Sequence, residues 1–224
     1  ARAVNRLNSA ISNNQKILIY GDYDVDGTTA VALMFTVLKQ HHANIDYYIP
    51  DRYKEGYGLS EIGVEFAKEN GFDLLITLDC GVKAVSQIQL AVDLGIDVIV
   101  CDHHEPGTVL PNAIVLDAKQ KGCKYPFKEL SGCGVGFKLM QALFNDQNWD
   151  LNELFQHLDL LALSIAADIV SITDENRALA FLGLKLVNEK PRKAFSELLY
   201  LANKKGPLTL TDLVFIIAPR INAA

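Results

Sequence analysis

Lys16-Ile17-Leu18-Ile19-Tyr20-Gly21-Asp22-Tyr23-Asp24-Val25-Asp26-Gly27 is the stretch on which the reading of this chain turns. Its apolar half predicts a strand over Ile17–Tyr20. Directly after it come three carboxylates at alternate positions, and if the backbone is still extended there, Asp22, Asp24 and Asp26 project to one side. At about 6 Å and an effective dielectric near 20, each like-charged pair repels by roughly 3 kcal/mol. A hard dication is the simplest compensation. A calcium loop matches Asp22, Asp24, Asp26 and Gly27 at positions 1, 3, 5 and 6, but position 12 is Leu33 rather than Glu, and a strand stands where the entering helix should be. That reading is excluded. An acidic turn capping a helix that starts near Thr28 would account for one of the three acids.

Outward from this stretch, short apolar runs recur with helix-length segments between them. Strands are predicted at Ile17–Tyr20, Ile45–Ile49, Leu74–Leu78, Val98–Cys101 and Ala113–Leu116. Helices fall at Thr28–His42, Ser60–Asn70 and Ala84–Leu94, with Ser60 and Asn70 suited to the ends of theirs. This alternation predicts an α/β fold, a five-stranded parallel sheet with helices on both faces. Beyond residue 130 strands cease and the spacing becomes helical: Gly136–Phe144, Leu151–Ala167, Arg177–Val187, Ala194–Ala202 and Thr209–Ile217. The chain thus divides into an α/β part, 1–130, and a helical subdomain, 131–224, that continues the same body. The abrupt stop over Phe215–Ala224 reads as the end of a fragment of a longer protein.

Half of the 224 residues are hydrophobic and 21% are charged, which excludes a disordered or fibrous chain. The 21 basic and 27 acidic residues leave a net charge of −6, so any polyanionic partner has to be held locally. Cys80, Cys101, Cys123 and Cys133 form no Cys-x-x-Cys pair and read as buried thiols rather than a zinc site. Ala1–Gln15 carries no long apolar run, so neither a secretory signal nor a membrane span is visible, and the cytoplasm is the default compartment.

Two further strands end in acid or imidazole: Leu78 runs into Asp79-Cys80-Gly81, and Cys101 into Asp102-His103-His104. Ligands of open α/β sheets sit beyond the carboxyl ends of strands, so three strand ends deliver Asp or His to one rim. A mixed set of imidazole and carboxylate suits Mn²⁺ or Mg²⁺. Carboxylates clustered without a Lys or Arg suggest two ions sharing a bridging Asp, and hydrolysis of a phosphodiester or phosphoanhydride. Asp168, at the end of the apolar run Ala166-Ala167-Asp168-Ile169-Val170, either caps the next segment or reaches back to the metals. Ser131-Gly132-Cys133-Gly134-Val135-Gly136 lacks the ending of a P-loop and reads as a tight turn into a helix rather than a phosphate cradle.

The three strand-end motifs resemble motifs one to three of the DHH phosphoesterase superfamily, and Asp168 falls where motif four is expected. Within it, Arg52-Tyr53-Lys54-Glu55-Gly56-Tyr57-Gly58-Leu59, Gly134-Val135-Gly136-Phe137-Lys138 and Ala218-Pro219-Arg220-Ile221-Asn222-Ala223-Ala224 resemble the RecJ single-stranded-DNA exonucleases. The resemblance implies removal of nucleotides from a 5′ end, dependent on two Mn²⁺ or Mg²⁺ ions, in DNA repair and recombination. It also implies downstream domains that complete the enzyme. By motif position the metal ligands are Asp24, Asp26, Asp79, His103 and Asp168, with Asp79 the bridge. His104 contacts the scissile phosphate, Asp102 orients a histidine, and Asp22 is a ligand or a support of one. Arg52 with Tyr57, and Arg220, are assigned to a terminal phosphate. Tyr20 departs from the many family members that carry His there. Two rivals remain open: a DHH enzyme acting on nano-oligonucleotides, cyclic dinucleotides or pyrophosphate, and a metal-binding scaffold without nuclease chemistry.

Overall fold

The computed structural model describes residues 1–223; Ala224, the last residue of the final motif, lies outside them. The strands are β1 (Ile17–Gly21), β2 (Ile45–Tyr48), β3 (Leu74–Leu78), β4 (Asp97–Cys101) and β5 (Ile114–Leu116), paired parallel in the order β2-β1-β3-β4-β5. Chain order reverses between β1 and β3, and the acidic motifs stand at the carboxyl ends of β1, β3 and β4. That crevice is where an open parallel sheet binds its ligand.

Each central strand is buried on both sides, so its residues alternate between two cores. Ile17, Ile19, Leu74, Ile76, Leu78, Ile99 and Cys101 face one core, shared with α1 (Arg2–Ser12), α2 (Val25–His41), α5 (Gly132–Gln147) and α7 (Leu158–Ala167). Leu18, Tyr20, Leu75, Val98 and Val100 face the other, beneath α3 (Glu61–Glu69) and α4 (Val85–Asp93). Tyr20 therefore lies on the sheet face covered by α3 and α4, opposite the face that packs on α2, α5 and α7. It stacks on Tyr48 with centroids 5.4 Å apart and donates its hydroxyl to Gly58 O at 2.9 Å.

One helix was not expected and two helical expectations need correction. The polar N-terminal segment forms α1, whose Val4, Leu7 and Ile11 recur at helical spacing and pack on the larger core. The run Leu151–Ala167 is two helices, α6 (Leu151–Phe155) and α7, because the bonds tighten at the joint: His157 N donates to Leu154 O at 3.1 Å and Leu160 N to His157 O at 3.2 Å. Past α8 (Asp174–Glu189) and α9 (Lys193–Leu201), the run Thr209–Ile217 forms one short turn, α10 (Leu210–Asp212), then a π-helical stretch, Leu213–Ile217, before α11 (Ala218–Asn222). Pro219, early in α11, has no N–H to return to the preceding turn, which favours the wider winding. The helices after residue 130 share the larger core with the sheet. Among the described residues no helix is long and apolar enough to cross a membrane.

Candidate metal centre

The three motif-one carboxylates do not share a side, because the backbone stops being extended at Asp24 and α2 begins at Val25. Each acid has a separate task. Buried Asp22 turns to the loop ahead of α3, accepting from Tyr23 N at 2.7 Å and Gly58 N at 2.8 Å. Asp24 is the N-cap of α2, accepting from Gly27 N at 2.9 Å. Asp26, in the first helical turn, points inward and is fully enclosed. It accepts from Gly132 N (2.6 Å), Cys133 N (2.9 Å) and Ser164 Oγ (2.7 Å).

The Gly-rich segment is thus the N-terminus of α5, capped by Ser131, and the anion on it is a side chain of the protein itself. Gly132 also lets Asp79 approach: a Cβ there would lie 2.5 Å from Asp79 Cβ. Asp79 leaves β3 in the left-handed region, φ +60°, with its amide bonded to Cys101 O. Asp168 closes α7 from the helical layer. His103, one residue beyond the Asp102 that follows β4, stands between them. Its Nε2 lies 3.2 Å from Asp79 Oδ1, 3.5 Å from Asp168 Oδ2 and 3.8 Å from Asp26 Oδ2.

Asp79 Oδ1, His103 Nε2 and Asp168 Oδ2 are buried without a hydrogen-bond partner. Carboxylates so close, desolvated and without a basic partner among them, are held together by a cation or by protons. Two groups of ligand atoms, Asp79 with His103 and His104, and Asp26 with His103 and Asp168, each lie within 4.8 Å of one another. The donors are carboxylate oxygen and imidazole nitrogen, without thiolate, which fits Mn²⁺ or Mg²⁺. Asp24 is in neither group, while Asp79, His103, Asp26 and Asp168 come together.

The second motif-three histidine is held differently. Buried Asp102 accepts from Val82 N (2.8 Å) and from the amides of His103 (2.7 Å) and His104 (3.1 Å), and its Oδ1 takes the Nδ1–H of His104 at 2.7 Å. This leaves His104 Nε2 facing out, 3.3 Å from Tyr57 Oη. Arg52 stacks over Tyr23, 4.5 Å from the ring centroid, and Tyr23 meets Tyr57 edge to face. Arg52 Nη1 also reaches Asn222 O at 3.5 Å, so the Arg52 loop and α11 meet. Exposed Arg220 bonds to Ile216 O in its own helical segment. Ser164 and the α5 amides were missed in the sequence. Ser164 had a signal, since it stands four residues before Asp168 on one helix face.

The electrostatics follow from this crowding. Burial, then the neighbouring Asp26 and Asp24, raise Asp168 to about 7; burial also raises Asp22 to about 6. Burial and the same neighbours push Asp79 well up, and burial raises Asp26 despite its hydrogen bonds. Burial lowers His103, keeping its imidazole neutral, whereas the Asp102 hydrogen bond raises His104. In metal-free protein the folded state therefore keeps carboxyl protons that the unfolded chain releases above about pH 4. Stability from Asp22 and Asp168 is complete below about pH 4 and is lost as pH rises through about 6 and 7. Melting in EDTA is expected to move to lower temperature across that window, and the stabilisation by Mn²⁺, which displaces those protons, to grow with pH. A metal-free melting temperature that climbs between about pH 5 and 7.5 would contradict this assignment.

Comparison with known proteins agrees with the geometry. Residues 16–165 match the model of the DHH family, N-terminal domain. The chain is 45% identical over 223 residues to the single-stranded-DNA-specific exonuclease RecJ of Bacillus subtilis, covering 99% of this chain and 28% of that protein. It is 37% identical over 236 residues to RecJ of Escherichia coli, covering 100% and 41%. The chain therefore spans well under half the length of these relatives. Among solved structures, exonuclease RecJ bound to manganese superposes with TM-score 0.89 at 32% identity, covering 100% of this chain and 56% of that one. RecJ from Thermus thermophilus in complex with Mn²⁺ gives 0.83 at 30%, covering 99% and 32%. Since the matched span runs from the first strand into α7 and takes in Asp26, Asp79, His103 and Ser164, the chain belongs to the DHH family.

Proposed function

We propose that this chain is the metal-binding part of a RecJ-type nuclease that removes nucleotides from the 5′ end of single-stranded DNA in the cytoplasm, during repair and recombination. The observation that carries the reading is the set of unpartnered buried donors on Asp79, His103 and Asp168 beside the clamped Asp26. Those four residues would hold Mn²⁺ or Mg²⁺, and Asp79, whose Oδ1 lies 3.2 Å from the His103 nitrogen common to both ligand groups, is the candidate to serve two ions. Such ions, when bound, supply a hydroxide near neutral pH and a clamp on the phosphoryl oxygens. Asp24 acts from the helix cap, through its charge.

The protein's own groups orient the substrate. Asp102 fixes the His104 ring with Nδ1–H inward and favours its protonated form, so Nε2–H donates to a phosphate oxygen at the mouth. Neutral His103 keeps Nε2 as a lone-pair donor. Tyr57, Arg52 and Arg220 are the residues proposed to receive the 5′ phosphate, and the remaining length of the RecJ relatives is proposed to supply the groove that tracks the strand.

The test is hydrolysis by the full-length protein in Mn²⁺. A labelled single-stranded oligonucleotide should yield mononucleotides from its 5′ end while blunt duplex resists. Preferential turnover of cyclic dinucleotides or pyrophosphate would place the protein elsewhere among the DHH phosphoesterases. DNA binding without cleavage would make it a scaffold.

A further inference from the structure

The turn after β5 carries a basic residue that the motifs do not include. β5 runs beside β4 with Leu116 opposite Cys101, and Asp102 N donates to Leu116 O at 3.0 Å. The residues leaving β5 therefore emerge beside Asp102-His103-His104. Buried Asp117 shapes this exit, its Oδ1 accepting from Lys119 N at 2.7 Å. The Gln120 side-chain amide bonds to Val115 O and Asp117 O, and Lys128 Nζ bonds to Ala118 O and Cys123 O. The turn is fixed, with half-buried Lys119 inside it.

Lys128 is occupied by those carbonyls and Lys138 is paired with Glu175, but the Lys119 ammonium has no hydrogen bond or ion pair among the described residues. The exit on which Lys119 stands opens beside Asp102-His103-His104, where β5 pairs with β4. An acidic rim that admits a polyanion needs a cation not spent on internal pairs. A compact ammonium on a flexible stem suits a phosphate whose position changes as the strand advances.

We propose that Lys119 is a substrate-binding residue whose ammonium pairs with a non-bridging oxygen of the phosphate next to the scissile linkage. This rests on the nuclease reading above. In the full-length protein with Mn²⁺, Lys119→Gln should lower kcat/KM on single-stranded DNA about 10- to 100-fold, the value of one charge-assisted hydrogen bond. Mn²⁺ affinity and melting temperature should stay at wild-type values. The slope of log affinity against log salt, measured with a cleavage-resistant phosphorothioate oligonucleotide, should become shallower by about 0.7, the loss of one phosphate contact. Lys119→Arg should keep the slope.

Wild-type affinity and slope in Lys119→Gln, with wild-type protein degrading DNA, would overturn the proposal. So would an effect of Lys119→Gln that vanishes in an Asp117→Asn background, since Lys119 would then only offset Asp117. Wild-type protein that leaves single-stranded DNA intact would instead overturn the nuclease reading, and with it the substrate named here.

Discussion

Asp79→Asn is expected to give a protein that is inactive and, without metal, more stable than the wild type. Asp79 is buried against Asp26 and Asp168, its Oδ1 has no hydrogen-bond partner, and burial together with those like charges raises its pKa well above the usual range. The amide is nearly isosteric and carries no charge, so the repulsion disappears. The backbone tolerates the change, since φ is +60° and Asn, like Asp, adopts the left-handed region more readily than most residues. A gain of about 1–2 kcal/mol, or roughly 2–8 °C in melting temperature, should follow in EDTA. On the function proposed above, activity of the full-length protein in Mn²⁺ should fall by at least about 10³-fold, because an amide oxygen is a much poorer ligand than a carboxylate for ions that stabilise the transition state by several kcal/mol. Calorimetry with and without Mn²⁺ shows the crossover: the variant melts higher without the ion and lower with it. A variant that melts below wild type in EDTA would mean that Asp79 supports the fold rather than opposing it.

Gly183→Ala is expected to destabilise strongly, against helix propensity, which favours Ala by about 1 kcal/mol in a helix interior. Gly183 lies in α8 where it crosses α7, and a Cβ there would sit 2.0 Å from Leu158 O and 2.6 Å from Ala162 Cβ. A main-chain carbonyl cannot rotate out of the way as a side chain does, so the two helices must separate. Overpacking of this kind costs about 3 kcal/mol or more, roughly 6–12 °C at this chain length. Because α7 also carries Ser164 and Asp168, Mn²⁺ affinity should weaken as well. Thermal melting and a Mn²⁺ titration check both, and a stabilised Gly183→Ala variant would show that the helices are not in contact there.

The sheet was legible because parallel strands covered on both faces are written as uninterrupted apolar runs, and the observed strands agree with the expected ones to within a residue at each end. The joint at Gln156-His157 was hidden, since neither Gly nor Pro marks it. α1 was hidden because its segment is polar on the whole, although Ala3, Val4, Leu7, Ala10 and Ile11 share one helical face. In the site, the strand-end acids and histidines could be found from position alone. What each carboxylate of the first motif does could not, because it depends on the residue at which an extended backbone becomes a helix. With α2 starting at Val25, two positions along is nearly half a revolution, and this separates the capping Asp24 from the inward Asp26.

The grip of α5 on Asp26 has a consequence for the order of events at the ribosome. Asp26 is synthesised 106 residues before the Gly132 amide that holds it, and Asp168 emerges later still. A nascent chain bearing β1 to β4 has the strand-end acids but lacks both the clamp and the last ligand. Cation capture by the Asp26, His103 and Asp168 group therefore comes after translation of the helical layer, and an interrupted polypeptide carries the signature motifs without the means to load that group.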